Sequence, residues 1–329
     1  MKFLKYFSVF ALALIAFLAY FFLSEYHNYY KGYREPIKKV KIEAGTPVKK
    51  VGEILEQKGI IKSSRMFLFF YRIFFKNKPI QAGIYSFSKP LRTIDVLRKL
   101  VRGDISKFKI TVPEGLTIEE TARLFSDYVP EEEFKKAARN YWLISDLDPE
   151  ARNLEGYLFP DTYIFPEGVT ASFVVKKMVA TFKMKFNPSL REKAKQMGWT
   201  VRQVVTLASL IEKETYLDEE KPLISSVFHN RLRLGMPLQC DPTVVYAMKK
   251  MGIWRGRLLR KHYKTVRSPY NTYLHKGLPP GPICSPGLSS IEAALQPADT
   301  DYIYFIAVGP SHVFSRNYKE HLQILRTRK

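Results

Sequence analysis

The first strong pattern along the chain is a run without charge, YFSVFALALIAFLAYFFL, from Tyr6 to Leu23. As a helix it would extend roughly 27 Å, close to the hydrocarbon thickness of a bilayer, which predicts a transmembrane helix over 6–24. The run is long for the apolar part of a cleaved signal, and the SEYHNYYKGYR after it lacks the small residues of a cleavage site. Residues 1–5 then read as a cytoplasmic tail and 25–39 as a Tyr-rich basic linker. Basic residues flank the run on both sides. The short segment before it and the long one after it place the N-terminus in the cytoplasm and the folded part outside.

Beyond the linker the period changes. VKIEAGTPVKKVGEIL (Val40 to Leu55) reads as a strand, a turn at Gly45 and a helix with Val48, Val51, Ile54 and Leu55 on one stripe. FKITVPEGLTIEETARLF (Phe108 to Phe125) repeats the pattern, with Gly115 in place of Gly45 and Ile118, Leu124 and Phe125 on the helix. Two copies are too few for a solenoid and predict a repeated βα unit. Between them SSRMFLFFYRIFFKNK reads as a core helix or, because basic and aromatic residues alternate, as one lying on a membrane surface. IQAGIYSFSKPLRTIDVLRKLVRGD resembles a hairpin followed by a helix.

Helical spacing returns over 131–153, and LEGYLFPDTYIFPEG (Leu154 to Gly168) breaks it with two prolines. Helices are predicted at 170–185, 188–197, 201–215 and 225–236. The last third is rich in loops, among them SPYNTYLHKGLPPGPICSPG (Ser268 to Gly287), with a short helix at 289–295 and a buried strand at 302–309. The whole predicts an α+β fold behind an N-terminal transmembrane helix.

Composition narrows the partners. Among 329 residues, 53 Lys and Arg face 31 Asp and Glu, a formal charge of +22 that calls for nucleic acid, anionic lipid or an acidic cell-surface polymer. No RNP, helix-turn-helix or finger pattern is present, so nucleic acid is not expected as a partner. Cys240 and Cys284 are candidates for one disulfide outside the membrane or for two buried thiols, the bridge being slightly favoured. With no CxxC or HExxH, neither a metal nor a cofactor is expected.

The helix VVTLASLIEKET ends on two carboxylates. Glu212 shares a stripe with Val205, Ala208 and Ser209, and Glu214 with Leu207, Leu210 and Ile211, so periodicity does not separate them. Both fall in the last turn, where the helix dipole disfavours an anion; a carboxyl among apolar neighbours there tends to keep its proton, as a general acid must. The plainer alternative is a pair of surface carboxylates near Lys213 and the acidic DEEK at 218–221. LEGYLFPDTY offers the rings of Tyr157, Phe159 and Tyr163 as faces for sugars. SPYNTY and GLPPGPI add Tyr270, Asn271 and Tyr273 on stiff backbone suited to shaping a cleft.

LEGYLFPDTY, SLIEKET, VFHNRLRLGMPLQCDPTVVYA, SPYNTYLHKGLPPGPI and PGLSSIEAALQPADTDYIYFIA resemble, in order and wording, the YceG-like family, the MltG-type endolytic murein transglycosylases. The resemblance implies a LysM-like subdomain over 40–104 and a mixed α+β catalytic domain over 105–329. The implied activity is that of a lyase: cleavage of MurNAc–GlcNAc bonds within nascent peptidoglycan strands to leave 1,6-anhydro-MurNAc ends, which terminates strand elongation. The family's catalytic glutamate, first in EKET, falls on Glu212, and Glu214 becomes an orienting group. Glu155, Tyr157, Asp161, Tyr163, Asn230, Arg231, Gln239, Asp241, Thr243, Tyr270, Asn271 and Tyr273 become substrate-binding or supporting residues, with Asp241 equally suited to a helix or turn cap.

The implied partners are peptidoglycan strands, the membrane and cell-wall synthases, on the outer side of the cytoplasmic membrane. VGPSHVFS lacks the Gly-rich turn common before the family's HVFS-like segment, so the loop before His312 is expected to differ. A membrane-anchored protein that holds glycan without cutting it is the competing expectation.

Overall fold

The computed structural model describes residues 2–27 and 37–327. The uncharged run sits within one helix, α1 (Lys2–His27). The side chains of residues 2–9, 18, 21, 22 and 25 lie outside the described residues, and so do residues 28–36, the larger part of the predicted linker at 25–39. Among the described residues no helix is long and apolar enough to cross a membrane. The expectation of a span over 6–24 with a cytoplasmic tail at 1–5 is therefore not met there and stands on the sequence alone.

The chain divides into two units, the first running to Lys109 and including Ile164–Gly168. It contains β1 (Lys38–Ile42), α2 (Val48–Gln57), α3 (Ser64–Phe74), β2 (Gly83–Phe87), α4 (Thr93–Arg102) and the start of β3 (Lys107–Thr111). β1 and β2 pair antiparallel, with Val40 opposite Tyr85. The predicted hairpin before α4 is therefore a single strand whose partner lies about forty residues upstream, a pairing that turn chemistry in its own neighbourhood does not encode. Val40 and Ile42 point inward with Val51, Leu55, Phe67, Phe70, Tyr85, Leu97 and Leu100 to form the core.

α3 is a core helix through Phe67 and Phe70, while Phe69 and Ile73 on its other face are exposed, as is Phe74 one turn beyond Phe70. Ser63 caps it by accepting from the Met66 N–H.

The second unit, Ile110–Tyr163 and Val169–Lys329, takes the chain through α5 (Ile118–Leu124), α6 (Glu131–Ala138), β4 (Thr162–Pro166), α7 (Ala171–Lys185), α8 (Pro188–Gln196), α9 (Val201–Glu214), α10 (Lys221–Arg233), α11 (Asp241–Lys250), α12 (His262–Thr265), α13 (Leu288–Leu295), β5 (Tyr304–Val308), β6 (Ser311–Ser315) and α14 (Tyr318–Thr327). β3 pairs with β4. Gly45 and Gly115 both adopt left-handed backbone, at φ +78° and +77°, in the turn between strand and helix that the repeated pattern predicts.

Two other expectations change. The helical spacing over 131–153 yields α6 and then a 3₁₀ turn at Tyr141–Leu143. The predicted buried strand is β5, half exposed and joined to β6 by a tight turn at Gly309 and Pro310, with Val308 opposite Ser311. The imidazole and N–H of His312, just past that turn, are both held by Glu220 at 2.6 and 2.7 Å.

α9 is the axis of this unit. Val204, Val205, Leu207, Ala208, Leu210 and Ile211 are fully buried, against α8, α10, α11 and α13. A capping box fixes its start: Thr200 accepts from the Gln203 N–H, and Gln203 from the Thr200 N–H. The loop before β4 meets α9 at Gly156, where φ is +86° and an added Cβ would lie 2.5 Å from Pro282 and 2.9 Å from Val205. Gly156→Ala is expected to lower stability by about 2–4 kcal/mol from backbone strain and overpacking together; an unchanged urea midpoint would refute this.

Candidate active site

Glu212 emerges in the last turn of α9, its side chain 7% exposed. Its Oε2 accepts a hydrogen bond from the Gly287 N–H at 2.9 Å and from the Ser290 hydroxyl at 2.7 Å. Gly287 is the N-cap of α13 and Ser290 lies in its first turn. The carboxylate at the unfavourable end of α9 thus sits at the favourable end of α13, whose N-terminal field attracts an anion. Periodicity along α9 shows only its own dipole, since the second helix arrives from about seventy-five residues downstream. Oε1 takes no hydrogen bond from the described residues.

Two loops close around this carboxylate. Gly115 donates to the Ser285 carbonyl and Ser285 to the Leu116 carbonyl, each at 2.9 Å, which lays the backbone of Gly115 against Glu212 and Lys213. Lys213 donates to the Gly115 carbonyl at 3.3 Å. Lys221 opens α10 with its side chain only 1% exposed. It binds Asp218 and the Ser289 hydroxyl, each at 2.8 Å, and faces Glu212 Oε2 at 3.8 Å and Glu114 Oε2 at 3.9 Å. Partial burial, and then the charge of Glu212, hold the Glu114 carboxyl above its usual range, with Lys221 pulling the other way.

A pocket of about 260 Å³ opens between α5 and α11, lined by Thr117, Lys213, Asp241, Tyr246 and Lys249. A second of about 590 Å³ shares Tyr246 and Lys249 with it and reaches Trp254. Lys213, next to Glu212 in α9, lines the first pocket, so a carboxyl group with one oxygen free of hydrogen bonds from the described residues lies beside an open groove.

Residues 40–327 match the YceG-like family. The chain belongs to that family. A relative from Bacillus subtilis named endolytic murein transglycosylase is 34% identical, the match covering 89% of this chain and 87% of the relative. A protein of the same name from Streptococcus pneumoniae is 33% identical over 85% of this chain, which spans 56% of that longer relative. A crystal structure titled as a yceG-like protein from Listeria monocytogenes superposes with a TM-score of 0.60 at 31% identity, covering 88% of this chain and 99% of its own.

In this YceG-like chain the predicted site residues separate into groove and scaffold. Tyr157 and Tyr163 do not offer their rings to a ligand: they are 1% and 5% exposed. The Tyr157 hydroxyl donates to Asp148 at 2.6 Å, with its ring edge-on to Phe182, and the Tyr163 hydroxyl donates to the Phe159 carbonyl. Phe159 is buried as well. Asn230 donates to the carbonyls of Thr300 and Tyr302, and Arg231 to those of Ile303 and Leu238, so both anchor the chain entering β5. Asn271 and Thr243 are fully buried and hold the turns at 263–273 and the start of α11. Asp161 accepts the Thr162 N–H and its carbonyl accepts from Val112.

Asp241 opens α11 and accepts the hydroxyls of Tyr263 and Tyr273, whose rings stack at 4.2 Å. Tyr270 leans on Tyr246, and Gln239 is exposed at φ +52°, the one non-glycine with positive φ among the described residues. Glu214 faces away from Glu212, toward Cys240 and Arg231, where burial pushes its carboxyl up to about 7. The expected bridge between Cys240 and Cys284 is absent: both thiols are free and buried, Cys284 against the Ser209 carbonyl and Cys240 against Glu214.

Glu155 is a tie rather than a ligand group. It accepts from the Ile118 N–H at 3.0 Å and the Tyr246 hydroxyl at 3.1 Å, joining the start of α5 to α11. Burial, with help from Glu119, pushes its carboxyl from 4.5 to about 8. Native Glu155 therefore holds a proton that the unfolded chain releases, and its contribution to stability is full below about pH 4.5 and lost as pH rises through about 8. Glu155→Gln is expected to flatten that fall in urea midpoint; an identical slope would exclude the assignment.

Glu114, Gly287, Ser290 and Lys221 were not singled out from sequence. The only signal for Lys221 was its place in DEEK, a run whose charges suggest a solvated face, although Glu220 and Lys221 are buried.

Proposed function

We propose that the chain is a peptidoglycan lytic transglycosylase that cuts MurNAc–GlcNAc bonds within nascent strands and leaves 1,6-anhydro-MurNAc ends. The observation that carries this reading is the placement of Glu212, one oxygen fixed by Gly287 and Ser290 and the other without a partner among the described residues. Oε1 gives its proton to the glycosidic oxygen as the bond from C1 breaks. The carboxylate left behind is held by the two donors on Oε2 and faces the ammonium of Lys221. The C6 hydroxyl of the same MurNAc then closes on C1, and Oε1 takes its proton, which restores the acid without water. One carboxyl group suffices because the sugar's own hydroxyl replaces the nucleophile that a glycosidase recruits.

The names of the relatives support the substrate. The uncharged run inside α1 supports a single-pass anchor in the cytoplasmic membrane with the catalytic domain outside, near cell-wall synthases. The β-α-α-β order of the first unit supports a LysM-like subdomain over 40–104 that holds glycan.

The test is to incubate the chain with uncrosslinked strands and analyse the fragments by mass spectrometry. Internal fragments ending in anhydro-MurNAc are expected. Reducing ends would mean hydrolysis instead, and intact strands that remain bound would mean a holding protein.

A further inference from the structure

Glu114 has no step in that mechanism, yet it is built into the site. Its Oε1 rests on the α-carbon of Gly287 so closely that a Cβ there would lie 1.8 Å away. A side chain at this position would push the Glu114 carboxylate off its seat, since the backbone φ of −73° is itself open to any residue. The N–H of that glycine is one of the two donors that fix Glu212. The other oxygen of Glu114 faces Lys221, whose hydrogen bonds go to Asp218 and Ser289. The buried ammonium therefore stands between two carboxylates and closes on neither.

We propose that Glu114 is a positioning residue for Glu212, seating Gly287 and sharing Lys221 so that Glu212 can both give and retake a proton. This rests on the transglycosylase reading. The charged groups facing the pair are Lys221 and Asp218 from α10 and the turn before it, and Lys213 from α9. The Cys284 thiol behind them is kept protonated by burial. Removing the charge of Glu114 leaves the field of Lys221 to Glu212 and Asp218 and ends the repulsion between Glu114 and Glu212. Both changes favour the anion over the acid, so the step that needs a proton on Glu212 fails at lower pH.

The experiment is steady-state kinetics of the full chain on uncrosslinked strands across pH, for the parent, Glu114→Gln and Glu114→Asp. The glutamine variant is expected to lose about tenfold in kcat with KM within about twofold. Its alkaline limb should move down by about half to one pH unit. Glu114→Asp, which keeps the charge, should hold the limb at the parent's position, and urea midpoints should agree among the three. Glu114→Ser serves as the neutral variant should glutamine disturb folding. A neutral variant with the parent's kcat and limb, or an aspartate variant whose limb moves as far as the neutral one's, overturns the role of Glu114 alone. A parent chain that leaves strands intact overturns the transglycosylase reading with it.

Discussion

Glu212→Gln is expected to reduce strand cleavage by about 10³-fold or more while leaving the fold and glycan binding in place. The amide is nearly isosteric and its oxygen can still accept from Gly287 and Ser290, so the N-terminus of α13 keeps its cap. Lys221 loses one neighbouring charge but keeps its bond to Asp218 and the nearby carboxylate of Glu114. What disappears is the acidic proton and the basic carboxylate it leaves, and with them both halves of the cycle. Glu214 cannot substitute, because its carboxyl is turned toward Cys240 and Arg231 on another face of α9. Counting anhydro-MurNAc ends, with a pull-down of strands as the binding control, checks this. Cleavage within tenfold of the parent would move the chemistry to another group.

α9 was legible because its pattern is local: the apolar stripes and the two terminal carboxylates all lie within the 14 residues of the helix. The left-handed turns at Gly45 and Gly115 were legible for the same reason, a glycine between a strand pattern and a helix pattern. What surrounds Glu212 was not, because it is assembled at long range from Gly115, Lys221 and Gly287 on three different segments. Aromatic residues misled in one direction. Tyr157 and Tyr163 have the composition of a sugar platform, but each hydroxyl finds a partner inside the protein, which lets the whole ring be buried. Charge misled in the other direction, since DEEK suggests solvent while Glu220 is fixed by His312 and Lys221 by Ser289. The cysteines were undecidable from spacing because pairing depends on whether each thiol finds a closer partner, and each does.

The largest loss of stability is expected from Asp148→Ala, about 3–5 kcal/mol, because it leaves a charge uncompensated beside the buried core. Asp148 is 2% exposed and accepts from the Tyr157 hydroxyl at 2.6 Å and from Arg202 at 2.7 Å. Arg202 in turn donates to the Pro280 carbonyl at 2.9 Å. That loop continues through Ile283, whose N–H donates to the Ser209 hydroxyl, and through Ser285, paired with Leu116, to Gly287 on Glu212. Loss of the carboxylate therefore loosens the segment that delivers a donor to the catalytic group, and activity should fall even where the protein remains folded. Asp148→Asn keeps an acceptor for Tyr157 and removes only the charge opposite Arg202, so it should cost less than alanine. Urea unfolding of the three proteins, with cleavage measured well below each midpoint, separates the two effects. A shift under about 1 kcal/mol for alanine would mean that Arg202 finds solvent instead, and that the loop is held by Ser209 and Leu116 without it.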